Sequence, residues 1–144
     1  MMFLSPKKPK FNKSFSGKKI APINDNKVTF LRFSNFCLIA SEAGIVTNFQ
    51  MESIRRFLRR FLKKKGQIFF RIFPNIPITK KPNEVRLGRG KGKFKYWAFY
   101  IKKGDVLIEI CGHHEKFIIP FLKKARIKIA TKAFIYNRQN RWIL

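Results

Sequence analysis

Acidic side chains are scarce in this sequence. The seven present, Asp25, Glu42, Glu52, Glu84, Asp105, Glu109 and Glu115, are scattered singly. Hydrolytic sites are usually built on paired carboxylates or a metal cluster. No such pair is visible, so an enzyme is not expected. Cysteine is as sparse: Cys37 and Cys111 give no disulfide framework and indicate a reducing interior. Cys111-Gly112-His113-His114 supplies only half of a metal site, and no second cluster completes the usual four ligands. It is better taken as a turn and the first residues of a helix. Long apolar runs are missing too. The longest are short, as in FCLIA at 36–40, whereas a spanning helix needs about 20 residues. No segment is expected to cross a membrane, and there are no internal repeats.

Cations are abundant. Thirty-three Lys and Arg against seven acids give a net charge of +26. The 144 residues suit one domain, and an apolar share of 45% suits a folded one. Self-repulsion of that size opposes a compact state, so a dense polyanion is the expected partner. Nucleic acid fits best, with an anionic membrane as the weaker rival.

Residues 1–27 form an extended basic arm, broken by Pro6, Pro9, Gly17 and Pro22. PKKPKFNKSFSGKK interleaves lysines with Phe11 and Phe15, which suits a peptide laid along phosphates with its rings free to stack. A solvated tail or a targeting segment is the alternative. A presequence would favour arginine and an amphipathic helix, and the prolines oppose that.

A single domain is expected over 28–136. VTFLRF (28–33) and FCLIA predict two short strands joined at Ser34-Asn35, with a loop at 41–46. Thr47-Asn48-Phe49-Gln50 is a capping-box signature. In the helix after it, Met51, Ile54, Phe57, Leu58, Phe61 and Leu62 make one apolar stripe. Arg55, Arg56, Arg59, Arg60 and Lys63 take the remaining surface, and Gly66 supplies the stop. With Glu52 its one acid, that face suits an anion better than plain solvent.

QIFFRIF (67–73) predicts a strand and PNIPITKKPNEV (74–85) a proline-punctuated loop. YWAFYIK (96–102) and VLIEIC (106–111) predict a hairpin across Lys103-Gly104-Asp105. Residues 113–125 predict a second helix with Phe117, Phe121, Leu122 and Ala125 inward, kinked or shortened by Pro120. KIATKAFIY (128–136) is a last strand, followed by a basic tail over 137–144. The class is α+β: a mostly antiparallel sheet with two helices on one face.

From Gly88 the chain alternates glycine with a cation through Arg89, Gly90, Lys91, Gly92 and Lys93. An extended backbone would send Arg89, Lys91, Lys93 and Lys95 one way and leave the glycine side bare, able to press on a sugar-phosphate surface. A phosphate-binding P-loop is excluded, because Lys91 is followed by glycine and not by a hydroxyl residue. A dinucleotide fingerprint should follow a strand, whereas this run precedes one. A merely solvated loop is the remaining alternative.

The run QIFFRIFPNIPITKKPNEVRLGRGKGKFKYW (67–97) resembles large-subunit ribosomal protein sixteen of the bacterial and organellar type. The family pattern is met without a gap at Arg71, Phe73, Pro74, Pro77, Ile78, Thr79, Lys81, Pro82, Glu84, Val85, Arg86, Gly88, Gly90, Lys91, Gly92, Tyr96 and Trp97. Weaker likeness extends over roughly 5–136. The resemblance implies an α/β sandwich that sits in large-subunit rRNA beside the aminoacyl-tRNA site. Such proteins join late in assembly and help order the peptidyl-transferase region. With the charge and spacing read above, the resemblance gives an rRNA-binding set of Lys7, Lys8, Lys10, Lys13, Arg55, Arg56, Arg59, Lys63, Arg71, Arg89, Lys91 and Lys93. It also implies a loop facing the tRNA and the peptidyl-transferase centre, with Thr79, Lys80, Lys81, Arg86, Gly88, Gly90 and Gly92, and with Arg86 near its tip.

The arginine matching Arg86 is hydroxylated in some bacterial members. The chain departs from the pattern at Ser41-Glu42-Ala43-Gly44-Ile45, at Pro120 and after Tyr136. Expected partners are large-subunit rRNA, aminoacyl-site tRNA and neighbouring large-subunit proteins, with no homo-oligomer. No cofactor is expected beyond Mg²⁺ belonging to the rRNA. The pattern begins at Ser5-Pro6-Lys7, leaving little room for a presequence. Seventeen phenylalanines, with abundant Ile, Lys and Asn, suggest an AT-rich coding genome. The expected location is therefore a mitochondrial ribosome, organelle-encoded, with a plastid or a bacterial cytoplasm as alternatives. A non-ribosomal nucleic-acid binder of an organelle is the competing function, and a membrane-active cationic protein the weaker third.

Overall fold

The computed structural model describes residues 4–14, 31–63, 65–86, 88, 90–112, 115–138 and 141–143. The capping box forms as its residue types dictate. Thr47 Oγ1 accepts from the Gln50 N–H (3.3 Å) and Gln50 Oε1 accepts from the Thr47 N–H (3.0 Å), worth about 1 kcal/mol. Helix α1 runs from there over Asn48–Leu62. It buries Met51, Ile54, Leu58 and Leu62, each worth about 1.5–3 kcal/mol of removal from water. Phe57 is half-buried and Phe61 lies at the surface.

The helix does not end on glycine. Lys63 takes the cap with φ 48°, donating its N–H to the Arg59 carbonyl (3.1 Å). Gly66 serves packing instead: a Cβ there would lie 2.9 Å from Leu62 Cδ2 and 3.2 Å from the Cys111 carbonyl oxygen.

The strands are antiparallel in every pair and form two sheets. Strands β1 (Phe36–Ala40), β3 (Gln67–Phe70), β6 (Val106–Cys111), β7 (Ala133–Asn137) and β8 (Arg141–Ile143) make one, in the order β3-β6-β1-β7-β8. Strands β2 (Gly44–Thr47), β4 (Ile76–Lys80) and β5 (Lys93–Ile101) make the other, in the order β2-β5-β4. Helix α2 (Glu115–Arg126) packs on α1, β1 and β7, and α1 on β2, β3 and β5. The α+β class and the antiparallel pairing are as expected.

Several expected elements change. Residues 31–33 form no strand, with bends at 32 and 33, and 28–30 lie outside the described residues. The expected loop at 41–46 holds β2, which is too short to show an alternation. The expected loop at 74–85 holds β4; Pro77 is tolerated there because β4 is an edge strand. β3 ends at Phe70, three residues early. The expected hairpin of β5 and β6 does not form. The turn at 102–105 closes, with Asp105 Oδ2 accepting from the Lys102 N–H (2.9 Å). It then docks on the end of β1: the Gly104 N–H donates to the Ala40 carbonyl and the Ala40 N–H to that of Asp105 (2.8 and 3.0 Å). This corner sends the two strands into different sheets.

Helix α2 runs through Pro120, which stands on its exposed side. Its buried stripe is Ile118, Leu122 and Ala125. Phe117, expected inward, is exposed, and Phe121 is half-buried and stacked on Phe61 with centroids 4.2 Å apart. The last long strand starts at Ala133 rather than Lys128, and part of the expected tail, Arg141–Ile143, forms β8 along β7.

One carboxylate ties the larger sheet together. Glu109, in the middle of β6, is fully buried. Its oxygens accept from Arg71 Nη1 (2.6 Å) and from the backbone N–H groups of Phe33 (2.8 Å) and Ser34 (3.1 Å). Opposite it in the register stands Cys37, whose thiol is pushed up to about 12, first by burial and then by the Glu109 charge. Removing one partner of a buried pair leaves the other uncompensated. Glu109→Ala should therefore lower the stability of the full chain by about 3 kcal/mol, read as a fall in the urea midpoint. A change within error would show that the carboxylate is dispensable.

Candidate nucleic-acid interface

The geometry of a hairpin places the glycine-cation run. β4 and β5 pair from Ile76↔Ala98 to Lys80↔Lys93, with a register shift between Ile78 and Thr79. Residues 81–92 are thus the loop of this hairpin. Arg86 stands midway along it, exposed, beside Val85, and a turn from Pro82 to Val85 (N–H to carbonyl, 3.3 Å) shapes the near side. Thr79 and Lys80 belong to the strand below, Thr79 half-buried and Lys80 exposed.

The glycines do not alternate on a flat backbone as expected. Gly88 and Gly90 have φ of +101° and +84°, a region that only glycine enters freely. A Cβ at either would meet nothing within 4 Å. Gly92 answers a different need: a Cβ there would lie 2.6 Å from the carbonyl carbon and oxygen of Lys80. The loop therefore has a tight base and an open tip. β5 begins at Lys93, but the register shift leaves Lys95 as the extra residue between Phe94, facing Thr79, and Tyr96, facing Ile78. Strict alternation breaks there, and the Phe94 ring lies 5.2 Å from that of Trp97. Arg89 lies outside the described residues.

Two of the loop's lysines stitch it together. Lys81 Nζ donates to the Gly88 carbonyl and Lys91 Nζ to the Ser14 carbonyl. Lys13 Nζ in turn reaches the Lys91 carbonyl (3.4 Å). The arm is thereby brought against the loop, with Lys7, Lys8, Lys10 and Lys13 exposed and the Lys10 ammonium 5.7 Å above the Phe11 ring. Residues 15–27 of the expected arm lie outside the described residues.

Helix α1 builds its own cationic patch. Glu52 accepts from Arg55 Nε and Nη2 (2.8 and 2.9 Å) and from Arg56 Nε (2.9 Å). These bonds, Arg55's first, hold its carboxyl down at about 2. Glu52 thus orients two guanidinium groups rather than cancelling them from solvent. Arg59, Arg60 and Lys63 are exposed at the helix end, where cations also suit the carbonyl-rich terminus.

Arg71 is placed differently from the others of its set. Its guanidinium is engaged with buried Glu109 and lies 5.7 Å from the Phe33 ring centre. It serves the fold from within, and a residue-type match could not separate that role from phosphate binding. Exposed rings were missed by sequence reasoning as well. Phe94 (42% exposed) and Phe49 (66%) flank Trp97 and Tyr96, and the Lys95 ammonium sits 5.9 Å from the Tyr96 ring. The alternation K-F-K-Y at 93–96 was their signal. Among the described residues no group of three or more His, Cys, Asp or Glu is placed to hold a metal ion. His113 and His114 lie outside them.

The family model described as ribosomal protein L16p/L10e matches residues 6–136 of the chain. The large ribosomal subunit protein uL16 of Blochmanniella pennsylvanica is 38% identical over 138 residues, covering 95% of this chain and all of the relative. The corresponding protein uL16c of Euglena longa is 41% identical over 132 residues, 92% of this chain and 96% of that one. That of Thioalkalivibrio sulfidiphilus is 38% identical over 136 residues, 94% and 97%.

The loop's design yields a ranking. Gly92→Ala should lower stability by about 2 kcal/mol by forcing the hairpin base apart, and Gly88→Ala by roughly 1 kcal/mol for its left-handed backbone alone. Thermal unfolding of the full chain checks the order, and its reversal would refute the tight base. For Glu52 the sign follows from a folded-state value near 2 against an ordinary 4.5. Its contribution is whole above about 4.5 and is lost as pH falls toward 2. The Glu52→Gln variant should therefore lose less stability than the unmodified chain over that window; parallel acid limbs would contradict it.

Proposed function

The chain belongs to the ribosomal protein L16p/L10e family, and from that premise we propose that it binds large-subunit rRNA beside the aminoacyl-tRNA site, with the loop at 81–92 turned toward the tRNA. It is a structural component of a large ribosomal subunit rather than a catalyst, with rRNA and other ribosomal proteins as its partners. In the finer reading the loop approaches the peptidyl-transferase centre and the protein joins the particle late. Arg86 faces the tRNA, while the arm lysines, the α1 face, Lys91 and Lys93 meet rRNA phosphates.

The build of the loop carries this reading. Gly88 and Gly90 leave bare backbone with open space above it, next to the exposed Arg86. Backbone N–H groups and a guanidinium can then reach phosphate or sugar oxygens together, without a side chain holding the chains apart. The closed base keeps that geometry before RNA arrives, so less ordering is charged against binding. The Glu52-braced arginines of α1 act likewise, as planar forks already aimed outward. We place the particle in a mitochondrion, on the Phe, Ile, Lys and Asn content that marks an AT-rich coding genome; fractionated organelles and their ribosomes discriminate this from a plastid.

Tight phosphate binding predicts co-sedimentation with large subunits in high-salt gradients, together with steep salt dependence for isolated rRNA fragments. Release at moderate salt from intact subunits would count against the ribosomal role. Arg86→Ala should slow translation while leaving subunit composition normal. Joint replacement of Arg55, Arg56 and Arg59 by alanine should instead cut the share of subunits carrying the chain severalfold. Normal incorporation of that triple variant would remove the helix face from the interface.

A further inference from the structure

The arm does more than trail charge beside the loop. Between it and the free edge of β4 lies a cavity of about 350 Å³, within the usual range of about 300–1,000 Å³ for small-ligand sites. One wall is Pro6 and Pro9 of the arm, the other Ile76 and Pro77 of β4. Pyrrolidine rings are compact, apolar and fixed in φ, so the walls lose little freedom when something enters. Phe11, also in the lining, is 69% exposed.

The polar groups of the cavity are few. Asn75 is exposed in the lining and offers an amide with both donors and an acceptor. The Ser14 hydroxyl is shut from solvent without a hydrogen-bond partner among the described residues, an uncommon state for a buried oxygen. Among the described residues that line the cavity, Lys10 is the one charged residue and none is an acid.

We propose that this cavity captures one unstacked nucleobase of the RNA that the chain binds. Apolar walls enclose the base, the Asn75 amide reads its edge, and Lys10 meets the adjoining phosphate. A slot with apolar walls could also hold an aromatic side chain of a neighbouring protein. The charge favours the base: Lys10 lines the site and Lys7, Lys8 and Lys13 are exposed on the same arm, and a nucleotide carries its own anion where a neutral ring does not. The inference rests on the ribosomal reading and adds to it a point of base-specific capture at the junction of arm and sheet.

Ultraviolet crosslinking of large subunits that carry the full-length chain tests it, with adducts located by mass spectrometry. A nucleotide adduct is expected on the peptide containing Phe11. Ile76→Trp fills the cavity and leaves every charge in place, so adduct yield should drop about tenfold with sedimentation unchanged. Should that variant fail to fold, Asn75→Ala decides at an exposed position: its yield should fall about fivefold, one hydrogen bond's worth. An undiminished yield in either folded variant overturns the pocket. So does a crosslink to another protein's peptide, or an intact particle with no adduct at Phe11, and both leave the ribosomal role standing. A chain absent from the particles overturns both readings.

Discussion

A carboxylate sealed from water inside a chain of charge +26 is the constraint on which the rest of the fold turns. Glu109 sits at the centre of β6, which is flanked in the sheet by β1 and β3. Its two oxygens gather the backbone that leads into β1 and the arginine just past the end of β3. The pair is bonded from several sides, the condition under which burying two charges is tolerable. Phe33 then lies between Phe69, stacked at 4.7 Å, and the Arg71 guanidinium. Approach to β1, exit from β3 and the middle of β6 are thus fixed by one group.

That economy runs through the other acids. Glu52 braces Arg55 and Arg56, Glu42 accepts from the Lys132 N–H at 3.0 Å, and Asp105 closes its own turn. Each of these carboxylates is engaged in holding the chain's shape. The remaining surface cations must find countercharge outside the protein. A polyanion supplies it in one step and releases its own counterions as it does so, which makes the charge excess a source of affinity rather than a defect.

What was legible in the sequence is what depends on neighbours along the chain. The T-x-x-Q cap and the three-four spacing located α1, and the run VLIEIC marked β6 at 106–111 to the residue. What failed depends on partners far away. β2 is four residues long and exists because β5 pairs with it; β4 contains a proline that only an edge position permits. The turn at 102–105 has hairpin chemistry, yet Ala40 captures it and diverts the strands. In the interface, the loop cations and the helix arginines were recognisable from charge and spacing. The engagement of Arg71 was not, because its partner is 38 positions away. The three loop glycines looked alike and proved to serve two purposes, an unusual backbone at 88 and 90 and a close approach at 92.

The contact between arm and loop has an electrostatic consequence. Both segments are cationic, and among the contacts that join them are lysine ammonium groups donating to backbone carbonyls. In the free chain, repulsion between the two segments works against those bonds, whose setting is exposed and screened by water. Phosphates laid across the junction reverse the sign, because one anion then attracts both partners at once. By linkage, whatever binds the assembled junction more tightly than the separated one also stabilises it. Ordering the arm and binding the polyanion are therefore coupled.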